Sequence, residues 1–145
     1  MAKWSMDLSK YADVTTDNIK EIRRHYAFLL YGSIVEKTPV DTGRARGNWT
    51  ITLDQPTTTT SDRTTPQFTS VKQTPKPEGD EEIFISNNLP YIAKLEYGGF
   101  PNPPKKDGGK TVGGYSRQAP EGMVGVTMAN NKAIVETAVR SVIKK

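Results

Sequence analysis

Two arginines stand one residue apart in TPVDTGRARGNW, residues 38–49, with Gly43 and Gly47 flanking Arg44 and Arg46 and Trp49 following. A guanidinium is planar and makes paired hydrogen bonds to phosphates and carboxylates, so this spacing suits a phosphate cradle, a subunit contact or a well-made turn. Other residues able to do chemistry are few. DGGKT, 107–111, invites comparison with a phosphate-binding loop, but that pattern needs a glycine where Pro104 stands and a buried strand that FPNPP cannot supply. The alternative is a flap whose Lys105, Lys106 and Lys110 are solvated. His25 is the only histidine and lies beside Arg23 and Arg24 in a helical pattern, so one chain cannot build a histidine triad or a two-histidine metal site. Cysteine is absent, which excludes disulfides, thiolate metal sites and cysteine nucleophiles. Asp41 and Glu96 each fall beside a turn, with no basic partner on a common helix face to suggest acid and base roles. No catalytic, metal-binding or cofactor-binding residue is nominated.

The elements that must position these residues begin with a helix over about 15–37, where Ile19, Ile22, Tyr26, Leu29, Leu30, Ile34 and Val35 recur at spacings of three and four. Thr15 can cap it, Val14 and Ile19 occupy the two positions of a hydrophobic staple, and Asp17 suits the first turn. Pro39 ends it through the extended bias it imposes on Thr38. Trp49, Ile51 and Leu53 then alternate with polar residues, which predicts a strand with one buried face. Residues 55–80 hold eight threonines and four prolines but only Phe68 and Val71 as large apolar residues. Such a stretch cannot offset its own ordering entropy, so it reads as an exposed loop or hairpin, mobile in the isolated subunit and ordered by neighbours. EIFIS, 82–86, predicts a second strand. NNLPYIAKLEYGG, 87–99, predicts a brief helix started near Asn88 and stopped by Gly98 or Gly99. A Pro/Gly-rich loop over 100–116 follows, then GMVGVTM, 122–128, as a third strand, and a closing helix over 130–143. Helical runs at both ends with short strands between predict an α+β domain, a small antiparallel sheet packed by a long N-terminal and a C-terminal helix.

A chain of 145 residues fits a single domain, 1–145, with one core. Mean hydropathy of −0.61 is low for a globular domain, so part of the chain is solvated loop. The net charge of +4 is uneven: residues 101–145 carry eight basic and three acidic side chains, while 51–100 carry four and seven. A modest basic end suits nucleic acid or an acidic protein surface, yet the dense Lys/Arg blocks of dedicated nucleic-acid binders are missing. No run of about 18 apolar residues and no basic-then-apolar leader is present, which argues against a membrane span or a secretory signal.

Taken together and in this order between two terminal helices, TPVDTGRARGNW, NNLPYIAKLEYGG and SRQAPEGMVGVTM resemble the tail-completion or neck (head–tail joining) proteins of long-tailed bacteriophages, the minor tail protein Z type. The resemblance covers residues 15–143 apart from the Thr-rich stretch and the Pro/Gly loop. Two departures stand out: Gly125 follows GMV where many relatives have a basic residue, and the continuation of EYG from Phe100 is unusually rich in proline.

The resemblance implies a virion protein without catalytic activity or cofactor, assembled in the host cytoplasm into a homo-oligomeric ring at the tail–head junction. Sixfold tail symmetry makes that ring a hexamer. Tail terminator, tail tube and head-connector proteins become its expected partners, with transient passage of genomic DNA and no membrane. On this reading Asp41, Gly43, Arg44, Arg46, Trp49, Glu96, Tyr97 and Arg117 are interface or channel candidates, with Arg44 and Arg46 expected to pair with carboxylates of an adjacent subunit. The alternative is a nucleic-acid-binding module using Arg44, Arg46 and the basic C-terminal region.

Overall fold

The computed structural model describes residues 15–102 and 110–143. Helix α1, Thr16–Lys37, is the longest element, and Thr15 caps it by accepting a hydrogen bond from the Asn18 N–H at 3.1 Å. Val14 of the expected staple lies outside the described residues, and Ile19 is 38% exposed. Ile22, Tyr26, Leu30 and Ile34 recur every fourth residue and, with Ala27, Tyr31 and Val35, form a broad buried stripe. That width lets α1 serve two neighbours, the C-terminal helix α5 (Asn131–Val142) and the sheet.

Strands β1 (Thr50–Leu53) and β2 (Ile83–Ser86) pair antiparallel with Ile51 opposite Ile85. Both isoleucines are buried, and both strands pack on α1. The fold is α+β, as expected, but the sheet has two strands, not three.

Residues 122–128 account for the difference. They form helix α4, Val124–Ala129, leading through Asn130 into α5. Val-Gly-Val-Thr has strand propensity, which tertiary context overrides here. Met123 and Thr127, four apart, are completely buried, and the Thr127 hydroxyl donates to the Met123 carbonyl at 2.8 Å and meets Ser33 of α1 at 3.1 Å. A strand would put 123, 125 and 127 on one face, but Gly125 is exposed between the two buried residues, whereas a helix brings positions four apart together without it.

Smaller corrections have local causes. Arg44–Gly47, expected as a linker, makes one helical turn, α2. Helix α3 runs Ile92–Tyr97, starting later than Asn88, because Pro90 and Tyr91 form the turn that precedes it; Gly98 stops it as expected. The end of the Pro/Gly region pairs as a hairpin, β3 (Thr111–Val112) with β4 (Tyr115–Ser116), across Gly113 and Gly114, both at positive φ. Lys105 and Lys106 lie outside the described residues. Among the described residues no helix is long and apolar enough to cross a membrane.

The Thr-rich stretch is exposed and irregular apart from a 3-10 turn at Val71–Gln73. It is nonetheless strapped to the subunit. The Phe68 ring meets Tyr31 edge-on at 5.4 Å, Thr74 is buried, and Arg24 donates to the Thr74 and Lys72 carbonyls at 2.9 and 2.6 Å. Ion pairs add Lys76–Glu21 at 2.9 Å and Lys20–Glu78 at 3.6 Å.

Candidate functional site

The three motifs come together where α1 ends. Thr38 closes the helix by donating its hydroxyl to the Ile34 carbonyl at 2.7 Å, and the same oxygen accepts from the Trp49 indole N–H at 2.9 Å. Arg46 donates Nε to the Thr38 carbonyl at 2.8 Å and Nη2 to the Glu36 carbonyl at 3.0 Å, placing a cation on the negative end of α1. Arg46 is thus engaged within its own subunit, with carbonyls where carboxylates were expected.

Arg44 points to the strap instead. Its Nε donates to the Ser61 carbonyl at 3.3 Å and its guanidinium lies 3.8 Å from the exposed Asp62 carboxylate. Asn48 completes this anchor: its amide donates to Arg44 and Ser61 carbonyls at 2.8 and 2.9 Å and accepts the Ser61 N–H at 2.8 Å. The glycines are required by contact. A Cβ on Gly43 would sit 2.3 Å from the Thr64 carbonyl oxygen, and one on Gly47 2.1 Å from that of Arg63. TGRARGNW is therefore a turn that closes α1 on one side and seats the strap backbone on the other.

Glu96 ties the second motif to the third. Its Oε1 accepts from the Met123 and Val124 N–H groups at 2.8 and 2.7 Å, and its Oε2 from Gly125 at 3.0 Å. Helix α4 has no capping side chain of its own at Met123, so the carboxylate from α3 supplies the acceptors that its first N–H groups need. Gly122 makes this approach feasible: φ is +83°, and a Cβ there would lie 2.4 Å from the Glu96 carbonyl oxygen. The first motif joins the third through Gln118, whose amide accepts the Val40 N–H at 2.7 Å and donates to the Val40 carbonyl at 2.9 Å. It joins the second through Asn87, which donates to the Ala45 carbonyl at 2.9 Å.

Of the expected site residues, Gly43, Arg44, Arg46, Trp49 and Glu96 belong to this joint. Trp49 is only 5% exposed and sits in the core. Tyr97, 74% exposed, stands on the outer surface beside it. Asp41 meets Lys110 at 2.9 Å, a pair so solvated that it contributes little. Arg117 is exposed, and its backbone N–H donates to the Lys110 carbonyl at 2.8 Å. Asn48, Asn87 and Gln118 were not singled out as site residues, although they carry much of the joint. Their only sequence signal is an amide at the border of an apolar run, where a side chain can mimic a missing strand or turn partner.

The chemistry here is structural. Carboxylate, guanidinium and amide groups all bind backbone, and among the described residues no group of three or more His, Cys, Asp or Glu could hold a metal ion. Comparison with protein-family models, with curated proteins and with solved structures found no match.

Proposed function

We propose that this chain is a structural virion protein of a long-tailed bacteriophage, one subunit of a sixfold ring at the tail–head junction that serves tail completion and head–tail joining. One observation carries the reading. The three separated motifs that resemble the neck family interlock, through Gln118, Asn87 and Glu96, into a single joint at the end of α1. Their polar groups fix backbone, the use expected in a rigid scaffold that presents surfaces to neighbours. Val40, Tyr97 and Val112 are large apolar residues exposed on the segments that the joint connects, and a neighbouring subunit would cover such residues. A closed ring is built from heterologous contacts, so each subunit must offer one surface and receive another.

The orientation of Arg46 supports this reading over a nucleic-acid module, since its donors are turned to the carbonyls of α1 rather than outward to phosphates. Genomic DNA is expected to pass such a ring without being held. Native mass spectrometry of the purified chain, alone and with tail-tube, terminator or head-connector protein, tests the proposal. A hexamer in either condition is expected. A chain that stays monomeric with every partner refutes it, and sub-micromolar DNA binding at physiological salt, abolished by Arg44→Ala/Arg46→Ala, would install the nucleic-acid reading instead.

A further inference from the structure

The strap, residues 55–80, owes its order to the rest of the subunit. Hydrogen bonds within it span four residues at most, as between Thr69 and Gln73 or Arg63 and Gln67. What fixes its path comes from outside. Asn48 and Arg44 hold Ser61, Asn88 holds the Thr57 and Thr59 carbonyls, Tyr31 meets Phe68, and α1 grips the far limb through Glu21, Arg23 and Arg24. These anchors stand on α1, the turn at α2 and the segment before α3, and together they form a seat for a strap.

Both ends of the strap leave that seat at one place. The Asp54 N–H donates to the Glu82 carbonyl at 2.7 Å and the Glu82 N–H to the Asp54 carboxylate at 3.3 Å, so entry and exit lie side by side at the end of the β1–β2 ladder. Asp54 has φ of +69°, and among the described residues it is the only one other than glycine at positive φ. The left-handed region costs a side chain energy that glycine is spared, so the chain turns under strain where it enters the strap. Phe68 stands midway between the two ends. Fourteen extended residues reach about 46 Å, beyond the roughly 33 Å length of α1. A strap released at this hinge therefore reaches the seat of an adjoining subunit.

We infer that neighbouring subunits exchange straps, each laying residues 55–80 into the seat of a second copy. Every anchor is re-formed with an identical partner, so closed and exchanged forms differ only at the hinge, and there the exchanged form sheds the left-handed turn at Asp54. The inference rests on the ring reading, which makes the exchange cyclic: each subunit gives its strap to one neighbour and receives the strap of the other.

The chain has no cysteine, and Glu21 on the seat meets Lys76 on the strap at 2.9 Å in the closed subunit. Glu21→Cys chains mixed before assembly with Lys76→Cys chains should give a covalent heterodimer with a short bismaleimide, at several times the yield of Lys76→Cys mixed with Ser141→Cys on α5. The Glu21→Cys/Lys76→Cys double variant should give a ladder that reaches the hexamer. Asp54→Gly, which relieves the turn, should lower the ratio of exchanged to closed subunits about fivefold, and Asp54→Val should raise it, both read as interchain yield near the midpoint of assembly. Circular dichroism melts that match the parent exclude misfolding of the variants. A ring whose cross-links stay within single chains overturns the exchange and leaves the ring reading standing. A ladder that ends at two chains overturns its cyclic form, and equal yields for the parent, Asp54→Gly and Asp54→Val overturn Asp54 as the hinge. A chain that stays monomeric with every neck partner overturns both readings.

Discussion

Replacing Glu96 by alanine should unlatch α4 from α3, and the size of the effect follows from its three contacts. Two N–H groups, of Met123 and Val124, donate to one carboxylate oxygen and that of Gly125 to the other. Loss of a helix cap costs about 0.5–2 kcal/mol. A hydrogen bond to a charged group contributes about 1.5–3 kcal/mol, but Gly125 is exposed and water can replace its partner. Met123 is completely buried, so its N–H is the hardest to resolvate. A total of about 2–3 kcal/mol is expected, a drop in Tm of roughly 6–10 °C for a domain of this size. Glu96→Gln keeps the oxygen that serves Met123 and Val124 and replaces the other by an amide that cannot accept from Gly125. It should therefore cost about 1 kcal/mol, close to a single lost hydrogen bond. Urea unfolding of parent, Glu96→Gln and Glu96→Ala at neutral pH, followed by circular dichroism, gives the comparison. Equal stability of the two variants, or Glu96→Ala within about 0.5 kcal/mol of the parent, would show that the carboxylate does not hold α4.

The same unfolding assay separates the two arginines of the first motif: Arg46→Ala should cost about 2 kcal/mol, since two charge-assisted bonds to the end of α1 are lost, and Arg44→Ala under about 1 kcal/mol, its partners being long or solvated. The reverse order would mean that the first motif does not work by closing α1. Trp49→Ala should cost roughly 3–5 kcal/mol, while Trp49→Phe, which loses chiefly the indole bond to Thr38, should cost about a third of that; a Trp49→Ala chain melting within a degree or two of the parent would place the ring outside the core. Burial pushes the Tyr26 and Tyr31 phenols above the ordinary tyrosine value, so the folded chain keeps protons that the unfolded chain releases. Their contribution is complete below about pH 10 and is lost as pH rises through the folded-state values, so Tyr31→Phe should flatten the alkaline fall in stability; an unchanged slope would contradict this.

Spacing along the chain reported α1 and α5 because each buries one face against large neighbours, and a period of 3.6 is the trace such a face leaves. It placed β1 and β2 but not their burial: Thr50 and Asn48, expected on an exposed face, are buried, Leu53 is half-buried, and the buried pairs Thr50–Ile51 and Ile85–Ser86 lie on opposite faces. It failed at 122–128 for a physical reason. Helix α4 is six residues long, too short for a period to emerge, and its valines alone speak for a strand. What decides its state is a carboxylate on α3, 27 residues back from Met123, and backbone N–H groups leave no mark in the sequence to announce such a partner. One hint was present. A helix that begins at Gly-Met-Val without Ser, Thr, Asp or Asn at its cap must find acceptors elsewhere, and Glu96, two residues before a glycine pair and expected at an interface or channel, is such an acceptor. The strap was legible in composition but not in path, since threonines carry no period; Asn48 and the bare backbone at Gly43 and Gly47 fix where it lies.

Glu96 and Gly122 together have a mechanical consequence. Glu96 grips α4 with its side chain while Gly122 presses on its main-chain carbonyl, so the end of α3 and the start of α4 are fastened at two points that cannot rotate independently. Because α4 is in turn held to Ser33 of α1 through Thr127, the exposed Tyr97 next to Glu96 is fixed relative to the long helix. A subunit contact made through Tyr97 would then transmit force directly to α1, the longest element. Removing Glu96 should weaken assembly beyond what the stability loss alone accounts for, whereas Tyr97→Ala should weaken assembly and leave the monomer's Tm within about a degree of the parent, as expected for a surface change away from any buried feature. Comparing the two variants by sedimentation at matched folded fraction distinguishes a fastened contact from an incidental one: if Tyr97→Ala assembles like the parent, the joint supports the core alone.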